Sequence, residues 1–343
     1  MDRILVTGAS GFVAKHLIGQ LLNAGYAVRG TVRGQGKVAG IWAAVAALAP
    51  GREAALELVE ADLLFNRGWA EAMSGIAVVM HVAASIVAEE PRDPDIVVRP
   101  AVEGTERVLS FAHEAGIRRV IMTSSIATVG YGLGQVSGVR TYTEADFTDL
   151  AGMKRTWAYC IGKTKAERAA WTYASGNDMG LTTIHPGAIL GPATDPDTSI
   201  SLGMVTGLLD GSTPAMPRIG FAISDVRDVA EMHLAALRDP TSIGQRYLCT
   251  GPYMRFDQVA TILRRVYPDY PVTLQTVPDW IIRLMALFGG PVRQIINDVG
   301  NEKHFDGRKG EALLGRPYRT NEEAILSAAE SALRLGLVKP KGK

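Results

Sequence analysis

Between the apolar run Ile4 to Val6 and a stretch of helical periodicity lies Thr7-Gly8-Ala9-Ser10-Gly11-Phe12-Val13-Ala14, with three small residues spaced GxxGxxA. This segment constrains the fold more than any other. A glycine at the first position permits a tight turn out of a strand, and one at the second lets backbone come close to a bulky anion. Ala14 then allows the following helix to lie close against a sheet. From Phe12 onward Val13, Leu17, Ile18, Leu21 and Leu22 recur on one helical face until Gly25, and Ala27 to Val32 reads as a second strand. Strand, turn, helix and strand of this size form a βαβ unit, by default parallel with a right-handed crossover. Small residues at this spacing also occur in ordinary turns, so the flanking strand and helix carry the weight of the reading.

The alternation continues. Leu56 to Val59, Val78 to Val82, Val120 to Thr123 and Leu181 to Ile184 are continuous apolar strands, and helix-like stretches fall around 98–115 and 157–174. Strands without polar alternation suit a sheet covered on both faces. The expected class is α/β: a doubly wound parallel Rossmann sheet over residues 1–186, binding its ligand outside the carboxyl ends of the strands. After residue 187 glycine and proline become frequent through 187–220, and apolar helices are predicted near 256–266 and 278–288. Residues 187–220 and 251–338 are therefore expected to form a smaller C-terminal substrate-binding lobe. FAISDVRDVAEMHLAAL and the strand Tyr247 to Cys249 read as a return of 221–250 to the main sheet. Lys339 to Lys343 is a polar tail.

With 343 residues and 47% hydrophobic content the chain can bury a large core, and 36 basic against 35 acidic residues leave a net charge of +1. That balance supplies no field to draw in nucleic acid or an anionic membrane. Cys160 and Cys249 lie far apart without a CxxC pairing, which suits a reducing compartment, and both are expected to be buried small residues. The start MDRILVTGAS lacks the regions of a signal peptide, and no apolar run approaches the ~18 residues of a membrane span, so a cytoplasmic protein is expected. The six histidines form no HxxxH or HExxH pair, and no metal site is expected. The expected partner is a small-molecule carbonyl or alcohol substrate, with a homodimer as a candidate assembly.

The amides that open the first helix, at Phe12 and Val13, would face an anion together with Gly8, Ser10 and Gly11, since unpaired donors and the helix dipole both favour negative charge there. A dinucleotide pyrophosphate fits this cradle. The second strand ends Gly30-Thr31-Val32-Arg33, and no Asp or Glu occurs from Arg3 to Arg52. A carboxylate at that strand end would hold the ribose 2′-hydroxyl of NAD, whereas a guanidinium grips a 2′-phosphate. Arg33 and Lys37 therefore favour NADP(H). The alternative is that Arg33 is a solvated loop charge. Asp62 and Leu63, after the third strand, are placed beside the adenine, or Asp62 caps a helix. Val82, Ala83 and Ala84 supply small side chains where ribose and phosphates would run, or are plain packing.

Tyr159 and Lys163 are four residues apart, hence on one face of a helix. Ser125 follows the strand ending at Thr123 and so emerges where a nicotinamide would lie. Hydride addition to a carbonyl leaves negative charge on oxygen, so a nearby proton donor lowers the barrier. A free phenol with a pKa near 10 is a poor donor at neutral pH, and an adjacent ammonium is expected to shift it down. Tyr159 is the candidate acid, Lys163 its modulator and a holder of the nicotinamide ribose, and Ser125 a donor to the substrate oxygen. Ser124 and Thr128 are lesser candidates that would orient neighbours, and Thr123 is placed beside the cofactor. In His185-Pro186-Gly187-Ala188-Ile189, Pro186 would end strand pairing, and Gly187 and Ile189 would bring backbone to the nicotinamide amide; a simple strand-ending turn is the competing account.

With TGASGFVAKHL, ADL, HVAAS, TSSIATVGYG, YCIGK, HPGAILGP and FDGRKGEALLG in order, the sequence resembles the extended short-chain dehydrogenases/reductases, and among them the dihydroflavonol-4-reductase-like aldehyde and ketone reductases. The resemblance implies a Rossmann domain with a small C-terminal lobe, catalysis by Ser125, Tyr159 and Lys163, a grip by Arg33 on the NADP 2′-phosphate, and transfer of the pro-S hydride. Plant members carry longer polar segments after the second strand and flavonoid-contacting residues that have no match here. An aldehyde or ketone is the implied substrate, and the apolar residues expected around its pocket point to one of hydrophobic or aromatic character. Its pocket is expected to be lined from loops 84–92, 126–156 and 187–220 and from the helix with Trp280, Ile281, Leu284 and Met285. Competing readings are a nucleotide-sugar epimerase or dehydratase, a 3β-hydroxysteroid dehydrogenase, and a non-catalytic NADP sensor on the same fold.

Overall fold

The computed structural model describes residues 2–84, 91, 93–133, 139–153, 157–196, 200–287, 292–296 and 298–338. In chain order the first half contains β1 (Arg3–Val6), α1 (Phe12–Asn23), β2 (Ala27–Val32), α2 (Val38–Leu48), β3 (Leu56–Glu60), α3 (Trp69–Met73), β4 (Val78–His81), α4 (Asp95–Glu114), β5 (Arg119–Thr123), β6 (Arg140–Tyr142) and α5 (Ala158–Gly176). There follow β7 (Gly180–Pro186), β8 (Ala188–Leu190), α6 (Ile200–Leu209), β9 (Met216–Pro217), β10 (Gly220–Asp225), α7 (Val226–Arg238), β11 (Arg246–Cys249), β12 (Tyr253–Arg255) and α8 (Phe256–Val266). The chain ends with β13 (Thr276–Val277), α9 (Asp279–Met285), α10 (Val292–Ile295), β14 (Lys303–Phe305), α11 (Arg308–Leu314) and α12 (Asn321–Arg334).

Helix α1 shows how local sequence sets these boundaries. It starts where Gly11 leaves the first amides uncapped by any side chain, and it stops at Gly25, which takes a left-handed φ of 89°. The Tyr26 and Gly25 amides fold back onto the Leu21 and Leu22 carbonyls, both at 3.0 Å, which is the glycine-terminated arrangement that satisfies the last carbonyls of a helix. Between these ends Leu17, Ile18 and Leu21 are fully buried. Each contributes about 1.5–3 kcal/mol by leaving water.

Among the described residues the central sheet has seven strands in the order β11-β7-β5-β4-β1-β2-β3, all paired in parallel. Because β1 lies between β2 and β4, the connections leaving β1 and β4 run to opposite sides. The crevice between their carboxyl ends is the topological switch point at which such sheets bind ligands. Helix α1 and helix α7 bury one face of the sheet around Leu17, Ile18, Val229 and Met232. The other face packs Leu5 and Val79 against Val108, Leu109, Ala166 and Ala170 of α4 and α5. A separate core collects Leu190, Val205, Leu208, Leu209, Val259, Leu263, Ile325 and Ala328 from the C-terminal half.

The expected return of 221–250 to the main sheet divides in two. β11 does join it beside β7, but Gly220–Asp225 pairs instead with β8 and β12 in a small three-stranded sheet. α2 has no legible stripe because VAGIWAAVAAL is apolar nearly all round. α12 did carry a signal, the capping box in which Thr320 and Glu323 exchange side-chain and backbone hydrogen bonds. Among the described residues no helix is long and apolar enough to cross a membrane.

Candidate active site

At the switch point Gly8 adopts φ +70°, and a side chain there would reach 3.0 Å from Ala83 Cβ. The turn is fastened to β2, since the Gly8 amide donates to Thr31 Oγ1 at 2.9 Å and the Ala9 amide to the Thr31 carbonyl at 2.8 Å. Gly30 makes room for this, because a Cβ there would lie 2.7 Å from Ala9 Cβ. Thr7 Oγ1 accepts the Val82 and Ala83 amides, both at 3.0 Å, and lies 3.0 Å from His81 Nδ1. One hydroxyl thus ties the end of β1 to the segment after β4. Gly8, Ser10 and Gly11 stay accessible around the α1 amides, with Phe12 half-buried and Val13 buried beneath. A cradle that a Cβ at Gly8 would fill, with Ala83 opposite and Ala84 exposed beyond it, fits a dinucleotide pyrophosphate.

Arg33 and Lys37 are exposed just beyond β2. Asp62 does not cap α3, whose N-cap is Gly68. Its Oδ1 accepts the Leu64 amide at 3.0 Å in a tight local turn, and its carbonyl holds Trp69 Nε1 at 2.9 Å. Leu63 is half-buried against Gly104 of α4. The structure also adds a fastening that local spacing did not reveal: buried Lys15, one turn into α1, pairs with Asp195, and His16 Nε2 lies 2.9 Å from the Pro192 carbonyl.

Ser125 and the start of α5 meet at the carboxyl end of β5. Ser125 Oγ accepts the Ala127 amide at 3.1 Å, which leaves its proton for the Tyr159 side chain, to which it is hydrogen-bonded. Tyr159 sits in the first turn of α5, where the positive end of the helix favours a phenolate. Burial nevertheless raises its pKa, with the Ser125 hydrogen bond opposing. Lys163 is buried, donates to the Thr123 carbonyl at 2.8 Å, and is lowered to about 8 by burial, with Glu167 opposing. The expectation that Lys163 pulls the phenol down is therefore not met in the protein alone. The ammonium is committed to a backbone carbonyl, and loss of water around the phenol outweighs what remains.

Thr123 departs from expectation as well. Its side chain lies 2.7 Å from His233 Nε2 of α7, inside the core, so alternation along the strand takes it out of the crevice. Pro186 is the last residue of β7 and still pairs with Cys249. The Gly187 amide donates to Ser224 Oγ at 2.8 Å, which removes it as a donor to a nicotinamide amide. Ile189 is half-buried in β8. Among the described residues Trp280, Leu284 and Met285 stand exposed and do not wall a closed pocket. Trp280 is 66% exposed, because α9 turns Ile282 to the core. Residues 85–90, 92, 134–138, 154–156 and 197–199 of the expected pocket loops and the tail 339–343 lie outside the described residues.

An aromatic run that spacing alone had not placed leads away from Tyr159. Trp157 lies 5.7 Å from its ring, and Tyr131 lies 5.1 Å from Trp157. Lys303 Nζ stands 3.5 Å over the Tyr131 ring and pairs with Asp298. β14 reaches this place by pairing with β6.

Gly187 joins the two parts of the chain and has no room for a methyl group. A Cβ would fall 1.9 Å from the Ala222 carbonyl oxygen, in a strand already paired with β12. Gly187→Ala should cost about 3 kcal/mol of stability, as overpacking against backbone that cannot withdraw. A urea midpoint equal to that of the parent would refute this.

The model of the NAD dependent epimerase/dehydratase family matches residues 4–249. Cinnamoyl-CoA reductase 1 of Petunia hybrida is 35% identical over 276 residues, spanning 78% of this chain and 78% of its own length. Dihydroflavonol 4-reductase of Zea mays is 33% identical over 275 residues, 78% of this chain and 75% of that protein. Among solved structures, yeast methylglyoxal/isovaleraldehyde reductase Gre2 complexed with NADPH superposes with a TM-score of 0.78 at 24% identity, covering 97% of this chain and 99% of that one.

Proposed function

This chain belongs to the NAD dependent epimerase/dehydratase family, and on that premise we propose that it reduces an aldehyde or ketone to the alcohol with Tyr159 as the proton donor. Its cofactor is NADP(H). The observation that carries the reading is the Tyr159 phenol, hydrogen-bonded to Ser125, one turn from Lys163 and beside the switch-point crevice.

Gly8, Ser10, Gly11 and the Phe12 and Val13 amides would hold the pyrophosphate, Arg33 and Lys37 the 2′-phosphate, Asp62 and Leu63 the adenine, and Lys163 the nicotinamide ribose. When bound, the dihydronicotinamide supplies the hydride that the carbonyl carbon accepts. Ser125 donates a hydrogen bond to the carbonyl oxygen and keeps it beside the phenol. Tyr159, protonated because it is buried, releases its proton to the oxygen as negative charge grows there. Lys163, still largely an ammonium at neutral pH with its pKa near 8, then faces a phenolate and stabilises it. The Tyr131–Trp157 run favours a hydrophobic or aromatic substrate.

The test is NADPH consumption with methylglyoxal, isovaleraldehyde, cinnamaldehyde, aryl ketones and UDP-sugars. Oxidation with carbonyls alone supports the reading, and interconversion of UDP-sugars without net oxidation overturns it. Arg33→Ala should weaken NADPH about 10- to 100-fold and NADH hardly at all, the scale of lost charge-assisted hydrogen bonds. Equal losses for both nucleotides in fluorescence titrations would remove the phosphate assignment.

A further inference from the structure

Directly behind Ser125 lies a buried ion pair that the proton transfer described above does not use. Glu167, one turn after Lys163 on α5, is fully buried. It accepts from Arg246 Nε at 2.8 Å, Ser124 Oγ at 2.6 Å, Trp171 Nε1 at 3.2 Å and Thr183 Oγ1 at 3.4 Å. Arg246, on β11, is 8% exposed. It extends Nη2 to Thr128 Oγ1 at 3.3 Å, holds the Asp146 carbonyl at 2.7 Å and stacks 3.8 Å over the Phe147 ring. Two charges taken out of water are a poor source of stability, since apolar residues of like volume usually serve as well or better. Their placement calls for another account.

The contacts converge on the turn that carries the active hydroxyl. Ser124, before Ser125, is held by Glu167. Thr128, held by Arg246, donates to the Ser125 carbonyl at 2.9 Å. His185 Nδ1 lies 3.2 Å from the same carbonyl and 3.1 Å from Thr128 Oγ1. Both flanks of Ser125 are thereby clamped to the helix that bears Tyr159 and Lys163. We propose that Glu167 and Arg246 are a positioning pair, which keeps the Ser125 hydroxyl, the Tyr159 phenol and the Lys163 amine in register for proton transfer. The proposal rests on the reductase reading.

Electrostatics supports the geometry. Burial works against an ionised Glu167, but His185, Arg246 and the Ser124 and Thr128 hydroxyls together hold its carboxyl down to about 2. His185 is itself pushed down to about 4 by burial, so at neutral pH the guanidinium is the charge responsible. The resulting carboxylate is the one group that raises Lys163 against burial. The other groups facing that amine are Tyr159 on the same helix, His81 from β4 and His185 from β7, and both imidazoles are neutral at pH 7.

The experiment measures Glu167→Gln, Glu167→Asp, Ser124→Ala and Tyr159→Phe with the aldehyde that the parent reduces fastest. Glu167→Gln should lower kcat about 10- to 100-fold, the scale of misplaced reacting groups, with the NADPH dissociation constant within about twofold. The alkaline limb of its kcat profile should move about one unit toward lower pH, because Lys163 loses the carboxylate that favours its charge. Glu167→Asp should bring the limb back toward the parent position. In Glu167→Gln a lowered amplitude with the limb in place would mark a merely structural role and overturn the proposal. Ser124→Ala cuts the tie to the turn while leaving the ion pair, and should cost about tenfold in kcat with the limb, the aldehyde KM and the urea midpoint at parental values; it decides the matter if Glu167→Gln does not fold. Folded Glu167→Gln or Ser124→Ala with parental kcat and an unmoved limb overturns the proposal. Parental turnover in Tyr159→Phe would instead remove the reductase reading on which it rests.

Discussion

Tyr159→Phe should lower kcat by about 10²- to 10⁴-fold while leaving the NADPH dissociation constant within about twofold. The substitution removes one oxygen and keeps the ring packed on Trp157. What it takes away is the proposed proton donor. Ser125 remains to hold the substrate oxygen, but its own proton is needed there, and Lys163 donates to the Thr123 carbonyl. An interaction made only as charge develops on the carbonyl oxygen lowers kcat and kcat/KM together, and that pattern is the diagnostic one. Steady-state kinetics and a fluorescence titration of NADPH check it. A variant that keeps full turnover, or one that loses NADPH in proportion to kcat, would show that the phenol is not the acid.

Acid should unfold this protein well before most of its carboxylates are protonated. His81, His185 and His233 have no solvent exposure to speak of. Burial lowers the first to about 3 and the other two to about 4. In the unfolded chain an imidazole titrates near 6.5. Between that value and 4 the unfolded chain therefore binds protons that the folded one refuses. Stability from these groups is complete above pH 6.5 and declines as pH falls toward 4, by about 1.4 kcal/mol per unit for each histidine within the window. Glu167, held down to about 2, adds its own loss at still lower pH. Denaturant midpoints at pH 7.5, 6.5, 5.5 and 4.5 measure this. A flat series would mean that the three imidazoles are not held neutral.

Both predictions draw on residues of unequal legibility. The placement of Ser125, Tyr159 and Lys163 is readable because each follows from a local rule: one follows a strand end, and two share a helical face. The histidines looked like unremarkable core or surface residues, and their placement in the core is what makes them the acid-sensitive element. Thr123 was misplaced because strand alternation fixes that neighbours face opposite ways without saying which face meets the crevice. Trp280, Leu284 and Met285 are exposed, with Ile282 turned to the core, because an apolar stripe on a short helix does not name the side that packs.

The sequence by itself determined the elements whose contacts are short-range: the GxxGxxA turn, the Gly25 stop, the parallel strand series and the Tyr159–Lys163 spacing. Tertiary structure alone decided what joins residues far apart in the chain. Examples are β14 against β6, Gly187 beneath Ala222, and Glu167 bonded to Arg246 across 79 positions. The physical reason is that periodicity and turn stereochemistry act over a few residues. Which buried charge finds which partner, and whether a phenol is raised or lowered, depends on the complete set of packed neighbours and on the water they exclude.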